Sequence, residues 1–299
     1  MNVNPTLTYG SIMIAHDEGF FAAEGIDAEL VSLDSNSAVA AAASGDLDVL
    51  SAGVRSGVFN MILKGVPMQV VADKGHSRAG ACASEAFIAP VETARRIAAT
   101  GTLRGERVAL TRGGTVEFLA ARLLERYKVE PADVVIVQLP HGTAASSRDR
   151  IDAVRFASEP NVSSALAEGW AAAIATTEEV APGHQIAILV FGKRLLQDDP
   201  ELGRRFMRAY LRGVRRFNEG KTPRNLAILA RHTRLPEDLI RRSCWGSIAN
   251  DGRIDPRAVQ PFLDWALERD YLDGEIAVAQ WWNPAFVDAA TRHLQAKGR

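Results

Sequence analysis

Residues 5–33 constrain the fold more than any other stretch: P-T-L-T-Y-G-S-I-M-I-A-H-D-E-G-F-F-A-A-E-G-I-D-A-E-L-V-S-L. A polar loop at 6–11 leads into an amphipathic helix. Gly10 and Ser11 suit a helix start, where small or hydroxyl residues leave or cap the first free N–H groups. Gly25 ends that helix because glycine takes the left-handed conformation that other residues resist. Residues 27–33 then alternate, with Ala28, Leu30 and Ser32 opposite Glu29, Val31 and Leu33, as a half-buried strand does. A helix that opens on a polar loop aims unpaired donors and the positive end of its dipole at whatever lies in front of it. That is a binding-site geometry.

The same unit recurs along the chain. Asp34, Ser35, Asn36 and Ser37 precede an Ala-rich helix at 38–44, ended by Gly45. A short strand at 48–51 leads through Gly53, Arg55 and Ser56 into a helix ended by Gly65, and a strand follows at 68–72. Residues 73–84 are small, polar and aperiodic and are expected to form a loop. A second series begins with strands at 86–89 and 107–111, the latter followed by Arg112, Gly113, Gly114 and Thr115 heading a helix to Tyr127. Further strands are expected at 134–137 and 151–156 with a short helix between them, then a helix at 160–169 and a strand at 171–175. The apolar strand 186–190 reads as a return crossover. Helices follow at 200–218, 223–232, 236–246, 256–270 and 284–296, several opened by proline. Alternation at this spacing predicts parallel βαβ units with loops facing a crevice. Two such blocks and two crossings predict an α/β, two-lobed, hinged binding protein.

Composition narrows the partners. A formal net charge of −1 lacks the basic excess of a nucleic-acid binder. No run approaches the ~20 apolar residues of a membrane span, and no charged-then-apolar leader occurs in this chain. Cys82 and Cys244 are the whole cysteine complement, which excludes a disulfide framework or a cysteine zinc site. The sequence leaves open whether they pair. His16, His76, His141, His184, His232 and His293 are scattered without i, i+4 acid partners, so neither a metal site nor a cofactor is expected.

Three stretches carry a family resemblance. They are G-F-F-A-A-E-G-I-D-A-E-L-V at 19–31, A-A-A-A-S-G-D-L-D-V-L-S-A-G at 40–53 and L-R-G-E-R-V-A-L-T-R-G-G-T at 103–115, with a weaker echo in D-R-I-D-A-V at 149–154 before Glu159 and Pro160. In order and spacing the chain resembles the nitrate/sulfonate/taurine-type substrate-binding proteins of bacterial ABC importers, a family that includes thiamine-pyrimidine-precursor binders. The resemblance implies a bilobal type II periplasmic-binding-protein fold with a two-strand hinge and a helical C-terminal segment. Lobe one would be 1–88 plus 190–299, and lobe two 89–189. It implies a monomer that captures a small organic ligand in the cleft and docks on a membrane ABC permease. It also implies a periplasmic or membrane-anchored extracytoplasmic setting. The family's first strand precedes the first polar loop, and here residues 1–3 alone stand there, so the start is expected to be trimmed or rebuilt.

The candidate ligand-binding residues lie in the loops ahead of helices: Thr8, Tyr9, Gly10 and Ser11; Ser35, Asn36 and Ser37; Gly53, Arg55 and Ser56; Arg112, Gly113, Gly114 and Thr115. Free N–H groups beside a guanidinium suit a small oxyanion, since arginine offers a planar fork. Arg55 and Arg112 are the anion candidates, one per lobe. Tyr9 offers a ring and a hydroxyl, and Glu159 an acceptor for an amine or ring N–H. The competing reading is that these loop residues cap helices and make turns. An enzymatic alternative rests on His76, Arg78 and Cys82, where a cysteine near a histidine invites activation as a nucleophile. Two relatives of the resembled fold are enzymes, a cysteine desulfinase and a suicidal thiamine-pyrimidine synthase. The cysteine-rich motif of the second is absent here, and the desulfinase pattern places its cysteine in the first polar loop. A cytoplasmic ligand sensor is the other alternative.

Overall fold

The apolar run near residue 188 is the middle strand of a sheet, and it organises the first half of the molecule. The structure is a computed structural model and describes residues 1–139 and 152–297. Its strands are β1 (Val49–Gly53), β2 (Gln69–His76), β3 (Glu85–Pro90), β4 (Arg107–Leu110), β5 (Val135–Gln138), β6 (Val154–Ser158), β7 (Ala171–Thr176) and β8 (Gln185–Phe191). One sheet has the order β1-β8-β2 and the other β5-β4-β6-β3-β7. The expected short helix between β5 and β6 lies outside the described residues.

The expectation of parallel pairing holds only in part. β4 pairs in parallel with β5 and β6, whereas β3 is antiparallel to both β6 and β7. In the first sheet the return strand β8 inserts between β1 and β2, with Leu50 and Val70 both opposite Val190, so both pairings are antiparallel. The physical reason is burial: Ala187, Ile188, Leu189, Val190 and Phe191 are all buried, and only a central strand hides both faces of such a run.

Three other expectations are corrected. Residues 27–33 do not form a regular strand; a single bridge joins Asn2 to Val31, supported by Val3 N–H to Val31 O at 2.8 Å and Val31 N–H to Met1 O at 3.0 Å. Three residues are too few to template a longer ladder. Asn2 turns its amide to β1 instead, donating to Ser51 O at 2.9 Å and accepting from Ser51 N–H at 2.7 Å. A side-chain amide thus replaces a backbone rung. Second, the opening helix is broken: a 3-10 turn (Leu7–Tyr9) runs into Gly10–Asp17, and Gly19 at φ +68° separates it from Phe20–Ala23. Third, 73–84 is not all loop, because β2 continues to His76. Asp73 is fully buried there and accepts from Gly75 N–H (2.8 Å), His76 Nδ1 (2.7 Å), Gln185 Nε2 (2.7 Å) and Ala249 N–H (2.7 Å). Polar residues on a strand mimic a loop in sequence when the interior supplies their partners.

The C-terminal helices follow expectation in outline, with Pro200–Asn218 and Pro223–Thr233 the longest of those preceding Ala285–Lys297. The segment 236–246 shortens to Glu237–Arg242. Phe118, on the helix after β4, packs against Phe262 and Trp265 at 5.9 and 5.7 Å, so the C-terminal helices brace both halves. No described helix is long and apolar enough to cross a membrane.

Candidate ligand site

The opening loop contributes fewer residues than its sequence promises. Gly10 is buried against Phe217, where an added Cβ would lie 2.7 Å from the ring. Ser11 is fully buried on the same face. Both belong to the packing of Gly10–Asp17 on Pro200–Asn218, which corrects their place as loop residues. Thr8 and Tyr9 stay partly exposed at the turn. The Tyr9 hydroxyl lies 3.4 Å from Ser51 O, and burial pushes its pKa up to about 12.

The second loop behaves as a helix cap. Asp34 accepts from the N–H groups of Asn36 (3.0 Å) and Ser37 (3.1 Å), which fixes the start of Ser35–Ser44. Ser35, Asn36 and Ser37 remain exposed. Asn36 Oδ1 in turn accepts from Arg55 Nη2 at 2.7 Å, so the cap aims a guanidinium. Arg55 is half-buried, and burial lowers its pKa against a smaller opposing pull from Asp34.

The third and fourth loops meet. They belong to different sheets, yet Ser56 donates from N–H (3.2 Å) and Oγ (2.9 Å) to Gly113 O, while Thr115 donates from N–H (3.0 Å) and Oγ1 (2.8 Å) to Val54 O. Gly113 needs its glycine because its φ is +75°, and an added Cβ at Gly114 would lie 3.6 Å from Arg55 Cβ. Gly113 N–H donates to Glu117 at 2.7 Å, and Glu117 also accepts from the Tyr271 hydroxyl at 2.9 Å. Gly53 ends β1 beside this seam. Arg112 is exposed next to it and forms no ion pair among the described residues.

Glu159 stands apart. It is 3% exposed, and its carboxylate accepts from Ser163 N–H (3.0 Å), Ser163 Oγ (2.8 Å) and Cys244 N–H (3.0 Å). It caps the helix Asn161–Ala167 and ties β6 to the 244 segment.

Two functional candidates escape sequence reasoning, Lys74 and Glu85. Lys74 is 4% exposed at the end of β2, with Nζ 4.0 Å from the Tyr9 ring centroid. Burial lowers its pKa to about 8 while Glu85 and Asp73 pull the other way. Glu85 opens β3, accepts from Ser84 Oγ at 2.6 Å, and has its pKa raised by burial. A cavity of about 20 Å³ bounded by Leu7, Thr8, Lys74, Ser84, Glu85 and Phe217 lies between the sheets. The signal was the charge pair D-K directly after an apolar strand. Cys82 and Cys244 are disulfide-bonded with Cα atoms 5.4 Å apart, so the thiol that the enzymatic alternative requires is consumed.

Residues 7–219 match the family model described as NMT1/THI5 like. The chain belongs to that family. This NMT1/THI5-like chain shares its fold with solved binding proteins across nearly its whole length. The periplasmic nitrate-binding protein NrtA of Synechocystis PCC 6803 superposes with a TM-score of 0.77 at 16% identity, covering 99% of this chain and 88% of that one. A periplasmic sulfonate-binding protein SsuA of Methylobacillus flagellatus KT gives 0.68 at 20% identity, with 97% and 90% covered. An enzyme has the fold as well: DSZB in complex with biphenyl-2-sulfinic acid gives 0.65 at 14% identity, with 98% of each chain covered. No curated protein sequence matches the chain. The architecture is therefore that of the periplasmic-binding-protein-like folds.

Proposed function

We propose that this chain is the ligand-capturing component of an ABC importer and holds a small anion between two lobes. One is built on the sheet β1-β8-β2 and the other on β5-β4-β6-β3-β7, so that the crossings fall before β3 and before β8 rather than at 88/89 and 189/190. One observation carries the choice of an anion. The buried Lys74 ammonium faces the Tyr9 ring and makes no hydrogen bond among the described residues. A buried ammonium without an acceptor is costly, and a carboxylate, sulfonate or nitrate set against it supplies the missing charge-assisted bonds. Arg55, aimed by Asn36, and the exposed Arg112 add positive charge at the seam. Glu85 and Asp73 favour the charged form of Lys74 without accepting from it. Thr8, Tyr9, Ser56, Gly113, Gly114 and Thr115 complete the proposed contact set.

Capture works by hinge closure about the crossing segments 77–84 and 177–184. The cavity at Lys74, about 20 Å³, has room for about one water. An organic ligand therefore enters only when the sheets part. A ligand that touches both sides then favours the closed form by its differential affinity for it. The closed face docks on the permease. The disulfide fits an oxidising, extracytoplasmic setting.

The test is a thermal-shift panel of nitrate, alkanesulfonates, aromatic sulfinates and carboxylates, with neutral pyrimidines as the contrast. A ligand at ~1,000 times its Kd adds about 4 kcal/mol of stability. Anions should stabilise the wild type, and Lys74→Met should abolish the effect while folding normally. Stabilisation by pyrimidines alone, or an unaltered anion response in Lys74→Met, overturns the assignment. A hit that is chemically consumed transfers the protein to the enzymatic reading.

A further inference from the structure

The six histidines are dispersed in sequence, but the fold gathers two of them around one carboxylate. His16 Nδ1 lies 3.1 Å from Asp17 Oδ1, and His232 Nε2 lies 2.9 Å from the same oxygen. One ligating atom from each residue falls within a set whose members are all within 4.8 Å of one another. His16 and Asp17 close the helix Gly10–Asp17, whereas His232 sits in the last turn of Pro223–Thr233. The two rings stand edge-on, with centroids 6.2 Å apart and planes 89° apart, so the nitrogens converge while the rings do not collide.

We propose that His16, Asp17 and His232 form a surface site for a divalent transition-metal ion of the zinc type. Two imidazole nitrogens and one carboxylate oxygen are the borderline donors that zinc favours over magnesium or calcium. Zinc holds such donors tetrahedrally at about 2.0–2.2 Å, so ligand atoms on one ion are about 3.4 Å apart. The observed spread needs a shift of up to about 1.5 Å, which rotation of the exposed His16 supplies. Arg231 is paired to Asp17 Oδ2. That pairing orients the carboxylate and leaves Oδ1 to the ion. Side-chain exposures of 41% for His16, 22% for His232 and 10% for Asp17 give an ion an entry path from solvent. Three protein ligands leave a fourth position open to water. The ion would staple the helix that follows the Tyr9 turn to a helix more than 200 residues downstream. It acts on the frame of the candidate ligand site and is independent of which organic ligand that site takes.

The experiment is calorimetric titration of the full chain with ZnCl2, in buffer free of chelators and of organic ligand. One site per chain is expected, with micromolar affinity and a raised thermal midpoint on saturation. His16→Ala, at the most exposed position of the three, should fold normally and bind at least about tenfold more weakly. His16→Ala combined with His232→Ala should abolish the site. MgCl2 and CaCl2 should give no heat. Failure to bind zinc at millimolar concentration, zinc binding unchanged in His16→Ala, or equal affinity for calcium would each overturn the proposal.

Discussion

Asp73 ties three segments of the chain together at the end of β2. It is wholly buried, accepts from four donors on three segments of chain, and its backbone oxygen takes the Tyr210 hydroxyl at 2.7 Å. Asp73→Asn replaces one acceptor oxygen by a donor facing other donors, and should cost about 2–3 kcal/mol in urea unfolding. Two histidines nearby give stability opposite pH slopes. His76 has its pKa raised above 6.5 by its bond to Asp73. Its contribution is therefore full below about pH 6.5 and is lost as pH rises through the raised value. His184 is buried and its pKa falls to about 4. Protonating it opposes folding, so stability is lost as pH drops from about 6.5 toward 4, in total by roughly 3 kcal/mol at about 1.4 kcal/mol per unit. His76→Gln should remove the loss on the alkaline side and leave the acid side unchanged, read as urea midpoints from pH 4 to 8. D-K-G-H holds two of the donors to Asp73, Gly75 and His76, but not the reason the group can be buried, because the other two come from residues 185 and 249. The D-K pair marks the charge of Lys74 in sequence, but not its burial against Tyr9, which is 65 positions away.

At the level of elements, the packing of Pro200–Asn218 on Gly10–Asp17 sets the position of the opening turn. Gly213 permits the approach: an added Cβ there would lie 2.4 Å from Ser11 O and 2.5 Å from Ala15 Cβ. Alanine is intrinsically the better helix residue by about 1 kcal/mol. Gly213→Ala should nonetheless destabilise the protein by about 1–3 kcal/mol, since the backbone beneath it cannot yield without moving the helix. A neutral or stabilising result in chemical denaturation would show that the two helices part freely. Helix starts and stops were readable in sequence, as Pro200 and Pro223 illustrate, because capping is local, whereas the helix expected at 38–44 starts at Ser35, capped by Asp34. The break at Gly19 was not separated from the stop at Gly25, although both glycines take φ +68°. Periodicity on either side of a one-residue kink stays in phase with a single helix.

For the molecule as a whole, the halves are joined by the seam between 54–56 and 113–115, by the Tyr271 hydroxyl on Glu117 and by Cys244 N–H on Glu159, while the bridge from Cys82 ties the 244 segment to the crossing 77–84. Thr115→Ala removes one seam bond without touching the charged groups. It should shift the population toward an open form, weakening ligand affinity about two- to tenfold and enlarging the radius of gyration in X-ray scattering. The disulfide spans 162 residues. Replacing both cysteines by serine should cost about 2–4 kcal/mol, a difference that vanishes when the wild type is unfolded under reductant. The sequence placed each of these loops ahead of a helix. It did not reveal that the 54–56 and 113–115 loops touch directly, whereas Glu159 spends its carboxylate on Ser163 and Cys244.

The sequence by itself determined the local pieces: strands of apolar residues, helices bounded by Asp, Pro and Gly, and polar loops between them. Each of these follows from interactions within a few residues. The tertiary structure alone decided that β8 enters between β1 and β2, that the cysteines pair, that Lys74 is buried under Tyr9, and that His16 meets His232 across Asp17. Those outcomes depend on contacts between residues tens to hundreds of positions apart, whose energies exist only after the chain has closed around a common core.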